Sequence, residues 1–161
     1  METIIDTAYY KTPLGIAKIT GNNYGIISIS VINEKIESSK NIPISLQECI
    51  TQLEEYFDKK RKTFHLKLNP QGTPFQKIVW NELQQIPFAK TISYLEQSKK
   101  MENPKAIRAI AAANGKNPIW IVIPCHRVIG SNGSLTGYAG GIWRKKWLLE
   151  HENPTNQTSL F

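Results

Sequence analysis

The sequence predicts a mixed α/β chain, with a small antiparallel sheet and one helix followed by a mainly helical second half. Three observations carry this. Residues 8–32 hold the strand-like stretches "AYYKTPLGIAKIT" and "GIISISVI", with the turn-rich "GNNYG" between them. From 44 to 62 the apolar period lengthens to three and four residues. Beyond residue 70, helix-start signals recur.

Composition sets the frame. At 161 residues, 40% hydrophobic and 20% charged, the chain can bury a core as one domain or two small ones. The opening "METIIDTAYY" has neither a positive n-region nor a long apolar stretch, and no apolar run is long enough to span a bilayer. A cytoplasmic protein without membrane contact is expected. Two distant cysteines make neither a disulfide framework nor a zinc site built on cysteine pairs. The net charge of +7 and pI near 9.4 favour a polyanionic partner, nucleic acid first.

Each element then has its own signal. Ile44, Cys49, Ile50, Leu53, Tyr56 and Phe57 recur at helical spacing, which buries Cys49 as an inert thiol. "KKRK" at 59–62 reads as the solvated end of that helix. After a connection over 65–74, Thr73 caps a helix with Pro74 in its first turn and Gln76 closing a capping box. Phe75, Ile78, Val79 and Leu83 form its expected buried stripe. "SYLE" at 93–96 is a second capping box. "NPKAIRAIAAANG" at 103–115 starts with an Asn-Pro cap and stops at Gly115. With the tight "MENP" turn, these two helices predict a helix-turn-helix. Ala109, Ala111, Ala112 and Ala113 strip the second helix of bulk, so another surface can approach it closely.

The chemistry concentrates in "IWIVIPCHRVIG", residues 119–130. An apolar run, read as a buried strand, stops at Pro124 and sets Cys125, His126 and Arg127 side by side. A reactive cysteine needs a positive or basic neighbour to stabilise its thiolate. In an extended segment adjacent side chains point apart, so a water-mediated relay or a sharp turn after Pro124 is required.

These motifs resemble the O6-alkylguanine-DNA alkyltransferases. The likeness runs in order from "GTPFQKIVWNELQQIP" through "ISY", "NPKAIRAIAAANGKNP" and "PCHRVI" to "GYAGGIWRKKWLLEHE", and more weakly reaches "YYKTPLG". It implies an α/β fold with a sheet-and-helix domain over 1–70, a DNA-binding and catalytic domain over 71–153, and a flexible tail over 154–161. It also implies transfer of an alkyl group from guanine O6, and from thymine O4, to Cys125, with one event per molecule. His126 would act as the base through a water, and Glu152 would orient it. Asn117 would brace the cysteine's turn, Tyr94 would donate to the purine, and Lys145 would assist at the pocket. Tyr138 and Pro124 would form its walls.

A stacked base cannot reach a buried thiol, so the nucleotide must flip out of duplex DNA. Arg108 would fill the vacated space, with Ala109 and Ala112 against the minor groove and Tyr94 beside the lesion. The resemblance implies a monomer that needs no cofactor. His65 matches a zinc ligand of some relatives, but the cysteines of such a site are missing, so no metal is expected. Two departures stand out. Many relatives carry glycine where this chain has Ala89, and a Gly-Gly pair where it has Ala111 and Ala112; a slightly stiffer recognition helix is expected.

Alternatives in other classes are a non-enzymatic lesion-binding protein, which would lack the acceptor cysteine, and a helix-turn-helix regulator. The terminal "QTSLF" resembles the short peptide by which bacterial repair proteins dock on the sliding clamp. Leu160 and Phe161 would fill a pocket beside Gln157, and Thr158, where leucine is usual, weakens the match.

Overall fold

The computed structural model describes residues 4–135, 138 and 140–154. Gln157, Leu160 and Phe161 of the clamp-like tail therefore lie outside the described residues. The chain forms two compact units, Met1–Gln71 with Pro118–Trp120, and Gly72–Asn117 with Ile121–Phe161. Eleven of the twenty basic residues but only five of the thirteen acidic ones belong to the second unit. Nearly all the net charge is thus carried there.

In the first unit, β1 (Asp6–Thr12), β2 (Gly15–Asn22) and β3 (Gly25–Ile32) pair antiparallel in that order. The stretch read as one strand breaks into two at Pro13-Leu14. Pro13 has no N–H to donate, and Gly15 takes a φ of 125° that other residues rarely adopt. Thr12 closes this hairpin, its hydroxyl accepting from the Leu14 amide and donating to the Gly15 carbonyl. Ala8, Ala17, Ile19, Ile26 and Ile29 point into the core. Helix α1 (Ile44–Phe57) covers them with Leu46, Cys49, Leu53 and Tyr56.

Two expectations for α1 fail. Ile44 is 88% exposed, because it is the first helical residue and the buried face starts at Leu46. The helix also stops at Phe57 rather than 62. Asp58 caps it and Lys59 turns left-handed at φ 62°, so "KKRK" follows the helix rather than ending it.

Residues 119–123 do not form the expected strand. Ile119 makes an isolated parallel bridge with Ile29, and the chain then turns, with Ile121 at φ 71°. The run is buried throughout, and an apolar run without periodicity marks burial rather than strand.

The second unit holds α2 (Pro74–Leu83), β4 (Ile92–Ser93), α3 (Tyr94–Lys100), α4 (Ile107–Gly115), β5 (Val128–Ile129) and α5 (Ile142–Glu152). Both predicted capping boxes are present, Thr73 with Gln76 and Ser93 with Glu96. The buried face of α2 is Val79, Trp80 and Leu83; Phe75 is 36% and Ile78 57% exposed, contrary to the expected stripe. Trp80 decides this rotation. Its indole N–H donates to the Ala113 carbonyl at 2.9 Å, tying α2 to α4. Its ring lies so close over Gly72 that a Cβ there would sit 2.5 Å from it.

Asn103 does not cap α4 through its side chain; Pro104–Ala106 form a 3-10 turn before the helix begins at Ile107. Helices α3 and α4 are joined by a reciprocal pair of buried amides. Gln97 donates to Asn114 at 2.9 Å and Asn114 donates back at 2.8 Å. Each amide satisfies the other, so the pair fixes the angle of the helix-turn-helix without an unpaired polar group.

Candidate active site

The site is built on a change of direction at Pro124. Its φ of −84° and ψ of 63°, with the Cys125 amide donating to the Ile123 carbonyl at 2.9 Å, describe an inverse γ-turn. Cys125–Arg127 then form one 3-10 turn. This sharp turn, rather than an extended segment, lets neighbouring side chains serve one site. Short parallel pairing of β4 with β5, Ile92 with Val128 and Ser93 with Ile129, fixes the base of α3 beside that turn. Tyr94, the first residue of α3, is thereby carried to the site.

Asn117 lies against the turn. Its side-chain amide donates to the Ile123 carbonyl at 2.7 Å and to Cys125 Sγ at 3.3 Å. Burial pushes the Cys125 thiol up; the Asn117 hydrogen bond and the nearby Lys145 ammonium pull it back in part. Lys145 is only 1% exposed, its Nζ 5.9 Å from the centre of the Tyr94 ring. Burial brings its ammonium down to about 8, against the pull of Cys125. Cys49 shares none of this. It is fully buried in the first unit, and burial alone pushes its thiol up to about 12.

His126 and Glu152 meet, Nε2 against Oε2 at 2.7 Å, both buried. His126 Nδ1, also buried, has no hydrogen-bond partner among the described residues. Burial holds the imidazole below its ordinary pKa despite the raising pull of Glu152, with Arg127 and Lys145 acting in the same direction as burial. Burial would raise the Glu152 carboxyl, but His126 and Arg127 outweigh it and hold it well below the usual carboxylate range.

Sequence reasoning gave Arg127 no role. In the structure its Nε donates to Glu152 Oε1 at 2.8 Å, its Nη2 to Oε2 at 3.0 Å and its Nη1 to the Ile86 carbonyl at 2.8 Å. Its place in "PCHR" was the only available signal. The Ala89 amide adds a further bond to Glu152 Oε1 at 3.3 Å. To aim it, Ala89 adopts φ 66°, the left-handed region that favours glycine. Ala89→Gly should therefore raise the free energy of unfolding by about 1 kcal/mol. Urea denaturation checks this; a lower midpoint would mean that the alanine methyl contributes packing that outweighs its backbone strain.

On α4, Arg108, Ala109 and Ala112 are exposed while Ile110, Ala113 and Asn114 face inward. The outward face is thus small and basic, flanked by exposed Lys105 and Lys116. Tyr138 lies beside Gly140 and Arg144, its carbonyl accepting from the Gly141 amide at 2.9 Å. Residues 136, 137 and 139 around it lie outside the described residues. Pro124, which precedes the cysteine in the chain, is buried. His65 is exposed in the first unit, and no cluster of three or more metal-binding side chains occurs among the described residues.

Comparison with known proteins gives a consistent result. Residues 74–154 match the family described as "6-O-methylguanine DNA methyltransferase, DNA binding domain", and residues 5–70 match its "ribonuclease-like domain". A methylated-DNA–protein-cysteine methyltransferase of Methanosarcina acetivorans is 44% identical over 154 residues, covering 90% of this chain and 96% of the relative. The crystal structure of Mycobacterium tuberculosis O6-methylguanine methyltransferase superposes with a TM-score of 0.83 at 36% identity, covering 94% of both chains. Mycobacterium tuberculosis OGT in complex with DNA gives 0.81 at 36% identity, covering 95% of this chain and 97% of that one.

Proposed function

The chain belongs to the 6-O-methylguanine DNA methyltransferase family, and from that premise we propose how its own residues carry out the reaction. The protein is a DNA-binding enzyme that repairs DNA by direct reversal, moving an alkyl group from O6-alkylguanine to a cysteine of its own.

Cys125 is the acceptor. Its thiolate attacks the alkyl carbon in line, the carbon–O6 bond breaks, and the electron pair leaves with the guanine. The thiol proton passes to His126, Tyr94 gives its phenolic proton to the departing purine so that guanine leaves neutral, and the proton held on His126 returns to the tyrosinate through solvent. The sum is a thioether and restored guanine. Water does not cleave a thioether under mild conditions, so each molecule reacts once. O4-alkylthymine presents the same alkyl–oxygen bond and is a second substrate.

One observation carries the assignment of the base. Glu152 occupies His126 Nε2, which leaves the buried Nδ1, without a partner among the described residues, as the ring atom able to take a proton. A buried polar atom of this kind calls for a water, and a water between Nδ1 and the thiol completes the relay. Asn117 holds the sulfur in place, and Lys145 supplies positive charge that favours the thiolate.

On DNA, the exposed alanines of α4 enter the minor groove, Arg108 replaces the flipped nucleotide, and the protein acts as a monomer. Pro124 and Tyr138 border the base pocket. Docking on a sliding clamp through Gln157, Leu160 and Phe161 belongs to the same proposal; a clamp that ignores a peptide of residues 153–161 would remove it.

The central test is intact-mass analysis after incubation with duplex DNA containing O6-methylguanine. One added methyl is expected, mapped by peptide analysis to Cys125, and none on Cys125→Ser. Methyl on Cys49, or transfer surviving in Cys125→Ser, would overturn the assignment.

A further inference from the structure

Arg127 is bound more elaborately than a scaffold contact needs. It is 7% exposed, spans both oxygens of Glu152 and spends its third nitrogen on the Ile86 carbonyl. The Phe88 ring lies 5.8 Å from its guanidinium carbon. Only a guanidinium offers this planar fork; an ammonium cannot reach two oxygens and a carbonyl in one plane.

Glu152 therefore receives at least four donors among the described residues, with two or more on each oxygen. Oε1 takes the Ala89 amide and Arg127 Nε, while Oε2 takes Arg127 Nη2 and His126 Nε2. A buried carboxylate facing an imidazole alone would draw a second proton onto the ring, because opposite charges attract strongly away from water. An imidazolium donates from both nitrogens and cannot act as a base. The site thus needs a carboxylate that orients the ring without charging it.

We propose that Arg127 is a positioning residue that neutralises Glu152, so that the carboxylate orients His126 while the ring stays uncharged and able to accept the thiol proton. The proposal rests on the reading of His126 as the base. Among the described residues, the charged groups acting on the ring are Glu152 and Lys145 from α5 and Arg127 from its own turn. Arg127 and Lys145 oppose protonation and Glu152 favours it, so removing Arg127 shifts the balance toward the imidazolium. The bond to Glu152 makes Nε2 the protonated nitrogen, which leaves Nδ1 as the acceptor.

The alternative is a buried ion pair that only supports the fold. The two differ in the pH dependence of the reaction. Transfer from free O6-benzylguanine is measured between pH 5 and 9 for the wild type, Arg127→Lys, Arg127→Met and Arg127→Met/Glu152→Gln, with the His126 ring titration followed by NMR. In Arg127→Met the acid limb and the ring titration should both move up by about one pH unit or more, a roughly tenfold loss at the acid end. Arg127→Lys, which keeps the charge but not the fork, should move them less. The double variant, which also lacks the carboxylate, should show no upward shift.

A uniform loss at every pH, with ring titration and profile shape unchanged, would overturn the proposal. If Arg127→Met does not fold, the Lys and double variants decide by the same criterion, since removal of both members of a buried pair is tolerated far better than removal of one. Failure of the underlying reading looks different, because His126→Gln would then keep the wild-type profile.

Discussion

Arg108→Ala should slow repair of O6-methylguanine in duplex DNA by about ten- to a hundredfold, yet leave transfer from free O6-benzylguanine nearly unchanged. Arg108 is exposed on the outward face of α4, beside Ala109 and Ala112. On the proposed function its work lies in the flipped state. Unpairing and unstacking a nucleotide costs a few kcal/mol, and a side chain that fills the gap recovers part of it. Each 1.4 kcal/mol so lost is a factor of ten in the population of the reactive complex, which sets the expected range. The free base needs no flipping and so bypasses the residue. Equal losses on both substrates would instead place Arg108 in the fold or the pocket. Affinity for undamaged duplex should fall steeply with salt for the wild type, and slightly less steeply for the variant, which has lost one cation near the phosphates.

What the sequence made legible follows from how local each signal is. The Thr73–Gln76 and Ser93–Glu96 boxes lie within one helical turn, and both formed where their residues predicted. The three-strand sheet was legible in outline, but the hairpin at Pro13 was missed because neighbouring strand-like residues masked a two-residue turn. The face of α2 came out rotated because Trp80, outside the predicted stripe, is anchored to Ala113, thirty-three residues away. No helical period encodes such a partner. The run at 119–123 shows the complementary failure, since burial was legible but conformation was not.

The site divides in the same way. Asn117 and Cys125 are eight residues apart and meet across one turn. The brackets around Glu152 come from Ala89, His126 and Arg127, up to sixty-three residues distant, and only the fold reveals that they share one carboxylate. Arg127 was visible in its motif but mute, because an arginine beside a cysteine suggests thiolate stabilisation, whereas its guanidinium is committed to Glu152. Ala89 was noticed as a departure from glycine, and its left-handed backbone explains why glycine suits the position.

Lys145→Met should make the protein more stable and less active at once. Lys145 is buried in the second unit, and its ammonium falls to about 8 because burial disfavours the charge. In the unfolded chain the same group has a pKa of about 10.4. The sign follows from proton binding. As pH falls from about 10 to 8 the unfolded chain takes up the proton first, so this group withdraws stability over that window. Below about pH 8 both states are protonated and the penalty stays constant. A difference of somewhat more than two pH units corresponds to about 3 kcal/mol at neutral pH. Methionine fills a similar volume without charge, so an increase in unfolding free energy of about 2 kcal/mol is expected at pH 7, after some loss of the lysine's own contacts.

The same change removes the cation that favours the Cys125 thiolate. Transfer from free O6-benzylguanine at pH 7 should therefore fall about tenfold or more, and the rate should recover as pH rises and the thiol ionises unaided. Urea denaturation at pH 7 and pH 10, beside the rate profile, reads both effects. The stability gain should shrink at pH 10, where the wild-type lysine is largely neutral and its penalty is mostly gone. If stability and transfer fall together, Lys145 holds the pocket's shape rather than its charge. A gain in stability with a loss in rate identifies a buried charge retained for chemistry at the expense of the fold.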